Sequence, residues 1–272
     1  SQGDWPSNLQ LLDWLAVDFR ESGWDVKRML KQMIMSSAYR QNAQVSEALV
    51  KFDPENRLLA RGPRFRLQAE FIRDTILAAS GILVTDIGGK GVKPYQPPGL
   101  WNELSLGGNV RFVQDHGEKL YRRGMYTYWK RSAPAPSLTI FDTPTREKCV
   151  LRRSRTNTPL QALVLLNDPQ YIEAARNLAQ KVALEAGDSL AARIVLAYRL
   201  ATAHRPSFKT LNILKAAYEE ELAIFRKDPA RAMKLLKVGE SKRDETIDAA
   251  EHAALTIITS MILNLDATVT KG

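Results

Sequence analysis

Three histidines and one cysteine narrow the chemistry open to this 272-residue chain. His116 stands in the run Gln114-Asp115-His116-Gly117-Glu118. An imidazole between two carboxylates suits a general base with an orienting acid, or a metal or haem ligand. The same run reads equally as a loop histidine bonded to its neighbours. Glu103, Asp115 and Glu118 also supply the carboxylates that glycoside hydrolysis needs in pairs, although spacing along the chain does not fix their separation in space. His204, beside Arg205 and Pro206, fits a contact with a helix C-terminus, and His252 falls mid-helix as a solvated or interface residue. Cys149 is alone, which excludes an internal disulfide, a CxxCH haem attachment and a multi-thiolate metal site within these residues. HExxH, GxSxG and Cys–His patterns are absent. The Gly88-Gly89-Lys90-Gly91 run lacks the spacing of a phosphate loop and the buried strand that should precede it.

The stronger chemical signal is cationic and aromatic. The net charge is +9, and Lys119 to Arg155 holds ten basic residues against only Asp142 and Glu147. So local an excess suggests a polyanionic partner more strongly than a diffusely high pI would. Within it Tyr121, Arg122, Arg123, Tyr126, Tyr128, Trp129, Lys130 and Arg131 alternate ring and charge. Rings stack on sugars or bases, and guanidinium groups grip sulfate, carboxylate or phosphate. No helix-turn-helix, zinc-finger or RNA-binding signature accompanies them, which argues against nucleic acid. The expected binding residues are Arg122, Arg123, Tyr128, Trp129, Lys130, Arg152, Arg153 and Arg155. The arginines of the last group lead into Thr156-Asn157-Thr158-Pro159, and Asn167-Asp168-Pro169 follows. In both runs a capping side chain, Thr158 or Asp168, precedes a proline suited to the first helical position. Backbone N–H groups there, beside arginines, favour an anion. Pairing of those arginines with Asp142 and Glu147 is the plainer alternative.

The elements that must carry these residues are mostly helical. Leu9–Glu21 and a helix capped by Asp25 form a hairpin, with Met29, Met33 and Met35 expected in a core. A short helix is expected from Asp53, then one from Leu67 to Ser80 with Phe71, Ile72 and Ile76 on its buried side. Residues 85–108 are rich in Gly and Pro. Val110–Val113 and Gly124–Trp129 are the strand candidates and pair as a small ribbon. A short buried helix, Leu160–Leu166, is followed by helices from Pro169, Leu190, Ser207, Pro229 and Glu245. The last buries Ile247, Ala250, Ala254, Ile257 and Met261. The reading is a mainly α, single multi-helix domain over 1–272. It has N-terminal helices (1–84), an irregular basic and aromatic middle (85–156) and C-terminal helices (157–272). The longest near-apolar run, Ala253–Leu263, is too short to span a bilayer.

Five motifs occur in one order: LLDWLAVDFRESGWDVKRMLKQMIMSSAYRQ, DPENRLLARGPRFRLQAEFIRD, KPYQPPGLW, RTNTPLQALVLLNDPQYIEAAR and ILNLDATVTKG. On these the chain resembles the uncharacterised C-terminal domain of large planctomycete cytochrome-c-type proteins, a family of unknown function. The resemblance implies export to the cell envelope of bacteria that degrade complex, often sulfated, polysaccharides. It implies c-type haem in associated modules but no haem or other cofactor here. It also implies a segment upstream of the LLDWLA helix, so that 1–272 is not the whole domain. The function expected is a non-catalytic binding or docking module that contacts an anionic polysaccharide or a partner domain. The alternatives are an enzyme acting on polysaccharide through Asp115, His116 and Glu118, and an adaptor that docks a c-type cytochrome.

Overall fold

The computed structural model describes residues 5–102 and 111–272. Among them the regular structure is helical apart from a two-stranded antiparallel sheet, Phe65–Arg66 (β1) with Thr270–Lys271 (β2). The class is therefore mainly α. Where one domain is expected, the chain divides into two compact units, Ser1–Phe65 with Lys271–Gly272, and Arg66–Thr270. No helix among the described residues is long and apolar enough to cross a membrane.

The smaller unit holds α1 (Leu9–Glu21), α2 (Val26–Met35) and α3 (Glu47–Phe52). Asn8 and Asp25 cap the first two, each accepting a backbone N–H three residues on at 3.0 Å. Arg28 closes the hairpin by donating to both carboxylate oxygens of Asp18 at 2.7 and 2.9 Å. No residue of these three helices is buried, so Met33 and Met35 are exposed rather than in a core. A hairpin with one short extra helix has no second layer on which to close its apolar stripe. Asp53 starts no helix either. Its carboxylate accepts the N–H groups of Arg57 and Leu58, both at 2.8 Å, and folds the segment into turns.

The larger unit is built on α4 (Ala69–Ala79), α5 (Pro136–Thr139), α6 (Pro159–Asn167), α7 (Pro169–Glu185), α8 (Leu190–Thr202), α9 (Phe208–Lys227), α10 (Pro229–Leu236), α11 (Ala249–Leu263) and α12 (Asp266–Val269). Helix α11 is the hub, packed against α7, α8, α9 and α10. It is buried nearly all round, as a helix apolar on every side must be. Of the seam expected for it, Ala250 and Ala254 are buried and Ile247 and Ile257 half-buried, whereas Met261 is exposed; Ala253, Leu255, Ile258 and Ile262 are buried besides. His252, expected as a solvated or interface residue, is fully buried, facing the carbonyl of Arg176 at 3.1 Å.

Three further expectations change. Phe71 is exposed, and Arg73 takes the buried place on α4 beside Ile72 and Ile76. Helix α6 is not buried: only Gln161 and Leu165 are covered, while Leu160, Leu163 and Leu166 face solvent. The ribbon of 110–113 with 124–129 does not form. Val110 lies outside the described residues, Arg111–Val113 is irregular, and Gly124–Tyr126 is a 3-10 turn. Gly124 is drawn into that turn by α4. Its N–H donates to Asp74 at 2.6 Å, and a Cβ there would sit 3.0 Å from Glu70 Cα. The segment instead makes single parallel bridges, Val84 with Arg122 and Val92 with Thr127.

Candidate functional site

Helix α4 positions the basic middle through Arg73, a guanidinium with almost no exposure. Its Nε donates to Gln170 Oε1 at 2.8 Å and its Nη2 to the carbonyl of Leu120 at 2.7 Å, and Nη1 donates to the carbonyl of Arg122. A buried cation is tolerated where carbonyls and a nearby carboxylate, here Asp74 at 3.7 Å, answer it. Burial pushes its pKa below the usual arginine range. Arg122 is itself occupied. It donates to the carbonyls of Lys90 and Asp86, both at 3.2 Å, and of Gly88, and lies 3.9 Å over the Tyr126 ring. It holds the Gly-rich loop in place.

Of Arg152, Arg153 and Arg155, only Arg153 is half-buried, and the other two are exposed. Arg153 donates to Glu70 at 2.7 Å, not to Asp142 or Glu147. Asp142 instead accepts the N–H and hydroxyl of Thr156, at 2.7 and 2.9 Å. Arg66, Arg153 and Arg155 border a cleft of about 10 Å³, room for roughly one water. Arg152, Arg153 and Arg155 also border an open depression of about 430 Å³. Thr158 makes no side-chain capping bond, whereas Asp168 accepts the N–H of Gln170 at 2.9 Å. The anion-binding helix start expected at Thr158 thus lacks half of its capping geometry.

Asp115, His116 and Glu118 do not converge. Asp115 accepts the N–H of Lys93 at 2.8 Å and lies 3.6 Å from the ammonium of Lys119. His116 is exposed and meets Glu240 through Nδ1 at 2.6 Å, and Glu118 is exposed. Glu240 also accepts from Gln114 and from the N–H of Gly117, and its pKa falls, chiefly through the bond with His116.

Behind this surface lies a buried carboxylate that sequence reasoning missed. Glu173 on α7 is 0% exposed. Its Oε1 accepts from the Tyr121 hydroxyl at 2.8 Å and from the N–H groups of Glu240 and Ser241 at 2.7 and 2.6 Å. Arg176 stands 3.7 Å from it and donates to the carbonyl of Ser241 at 2.6 Å. Gly239 turns the chain here with φ +86°, because a Cβ at that position would collide with the Glu173 carboxyl. Burial, and next the Glu173 charge, push the Tyr95 and Tyr121 hydroxyls far above their usual range. The polar link expected between α10 and α11 is therefore a strap fastened to α7. A glutamate and an arginine three residues apart inside an apolar helix face were the one sequence signal for it.

Two lysines, Lys93 and Lys130, gather on two rings. The Lys130 ammonium lies 4.3 Å over the Trp101 ring, and Lys93 lies 5.6 Å from Trp101 and 5.3 Å from Tyr128. Phe112 meets Trp101 edge-on at 5.3 Å. Beside them opens a cavity of about 660 Å³, lined among the described residues by Gln96, Trp101, Asn102, Arg111, Phe112 and Gln114 with the Pro97–Gly99 turn, and by no carboxylate. A second cavity of about 640 Å³ shares Gln96, Pro97, Pro98 and Gln114 with it, and its other walls are mainly apolar, from α5 and α6. Asp115, His116 and Glu118 line none of these four cavities. Of the expected binding residues, Lys130 and Tyr128 join this cluster. Trp129 is tied off, its Nε1–H donating to the Thr145 carbonyl at 3.1 Å. Arg123 lies near Asp74, whose pKa is raised by burial, with the charges of Arg73 and Arg123 opposing the rise.

The fold is mainly α, and its larger unit carries a cationic and aromatic cluster around Trp101 and Tyr128. The chain belongs to the PSD1 family, proteins of unknown function (DUF1553), whose match covers residues 1–218. No curated protein and no solved structure matches it.

Proposed function

We propose that this chain is a binding or docking module that receives an acidic partner on the face around Trp101 and Tyr128. The observation that carries the reading is the stacking of Lys93 over the Trp101 and Tyr128 rings and of Lys130 over Trp101, with Arg111 in the lining of the cavity that Trp101 borders. Ammonium groups stacked on rings keep part of their charge available while the rings supply apolar area. The partner belongs to the cell-envelope system that the resemblance implies, with c-type haem held by other modules. Binding to an acidic protein or peptide should weaken steeply from low to physiological salt. Lys93→Ala with Lys130→Ala should lower the affinity about tenfold, or roughly 1.4 kcal/mol. Absence of binding at low salt, or affinity indifferent to both substitutions, would count against the reading. Arg122→Ala is not a test of it, since Arg122 holds three loop carbonyls.

An acidic polysaccharide is the second reading. The exposed ring of Tyr128, with Lys93 5.3 Å away, offers a sugar both a stacking face and a counter-charge.

A further inference from the structure

Two cavities of similar size lie on either side of one ridge, Gln96–Pro98, and their walls have opposite chemistry. The first is cationic, with Arg111 in its lining and Lys93 and Lys130 on the Trp101 ring that forms its wall. The second is apolar. Leu160, Leu163 and Val164 present one face of α6 to it at the i, i+3, i+4 spacing, opposite Pro136 and Ile140 of the α5 segment. Leu160 and Leu163 are 52% and 53% exposed, although seven of the nine residues of α6 are apolar.

Two donors at this place lack acceptors. Trp101 is 6% exposed, yet its indole Nε1–H is buried with no hydrogen-bond partner among the described residues. The Nε2 amide of Gln96, a residue that lines both cavities, is in the same condition. A buried donor without an acceptor costs about 1–3 kcal/mol, a cost removed by a ligand that brings carbonyl or carboxylate oxygens.

Resting on the docking reading above, we infer that this double site receives an extended segment of a partner protein that joins an apolar side chain to carboxylates. The segment crosses the Gln96–Pro98 ridge with its apolar side chain against Leu160, Leu163 and Val164. Its carboxylates lie toward Arg111, Lys93 and Lys130, and its backbone carbonyls meet the idle donors at the ridge. Charge selects the acidic end, because Arg111 lines the first cavity and the Lys93 and Lys130 ammonium groups lie over its Trp101 ring. Shape and hydropathy select a peptide over a polysaccharide, since a sugar chain has no apolar body for the second cavity. Volumes of about 660 and 640 Å³ are each ample for one or two side chains.

The test uses the whole chain and fluorescein-labelled peptides followed by anisotropy. One peptide carries four aspartates and a Leu-Phe pair, a second replaces that pair by glycines, and a third replaces the aspartates by lysines. Sulfated dextran is the competitor. The first peptide should bind at least about tenfold tighter than the second, and the third should not bind. Leu163→Asp should bring the first peptide down to the level of the second, with helix content and melting temperature unchanged because Leu163 is half exposed. Leu160→Asp should repeat the effect, whereas Lys130→Ala should weaken both acidic peptides alike. Equal binding of the two acidic peptides, untouched by Leu163→Asp, would overturn the double site and leave the docking reading standing. Failure of both acidic peptides to bind would remove both readings. Sulfated dextran that outcompetes the first peptide, and loses this ability with Lys130→Ala, would replace the peptide by a polysaccharide.

Discussion

Replacing Glu173 by glutamine should loosen the larger unit and release the strap between α10 and α11. The substitution keeps volume and one acceptor oxygen but removes the charge. Arg176, 3.7 Å away and almost fully buried, then loses its counter-ion. At that separation a pair of unit charges is worth about 4 kcal/mol at an effective dielectric of 20, and breaking a buried pair from one side costs about 3–5 kcal/mol. The glutamine oxygen still accepts from Tyr121 and from the N–H groups of Glu240 and Ser241, with bonds weaker than those to a carboxylate. The expected loss is about 3–4 kcal/mol. For a unit of this size roughly 2–4 °C follows each kcal/mol, so the melting temperature should fall by about 6–16 °C. Hydrogen exchange should locate the effect, with the Glu240 and Ser241 amides accelerating before those of α11. A loss under about 1 kcal/mol, with exchange at Glu240 and Ser241 unchanged, would refute the assignment of Glu173 as the anchor.

Two further predictions test smaller parts of the same unit. Asp168→Ala should cost about 1 kcal/mol through loss of the α7 cap, whereas Thr158→Ala should be neutral within about 0.5 kcal/mol, both read by urea denaturation. His252 is held neutral because burial lowers its pKa from 6.5. A base whose folded pKa is depressed takes up its proton more readily when unfolded. Stability should therefore fall as pH drops below about 6.5, and His252→Gln should flatten the melting-temperature profile on that acid side. An unchanged slope in the variant would assign that pH dependence elsewhere.

Local signals made most of the helical frame legible in the sequence. Helices α1, α2, α8, α9 and α10 begin and end within a residue or so of where Asn8, Asp25, Ser189, Ser207 and Asp228 cap them. Caps and prolines act within one turn, so the sequence carries them whole. What those helices bury is a long-range matter. The periodicity of α2 is that of a core helix, yet nothing in its unit covers it. Helix α6 is too apolar to reveal a facing side, and only α5 and the 95–98 loop decide that Leu160 and Leu163 line a cavity. The basic residues behave likewise. In the sequence Arg122, Arg153 and Lys130 are equivalent cations, alternating with rings or clustered with other arginines. Their fates depend on partners 34, 83 and 29 positions away, in Gly88, Glu70 and Trp101. The sequence by itself determined the helices, the single thiol and the local charge excess. Only the tertiary structure decided which charges are consumed in holding the fold. That choice is made by burial and by contacts between segments far apart along the chain, on which local propensity has no bearing.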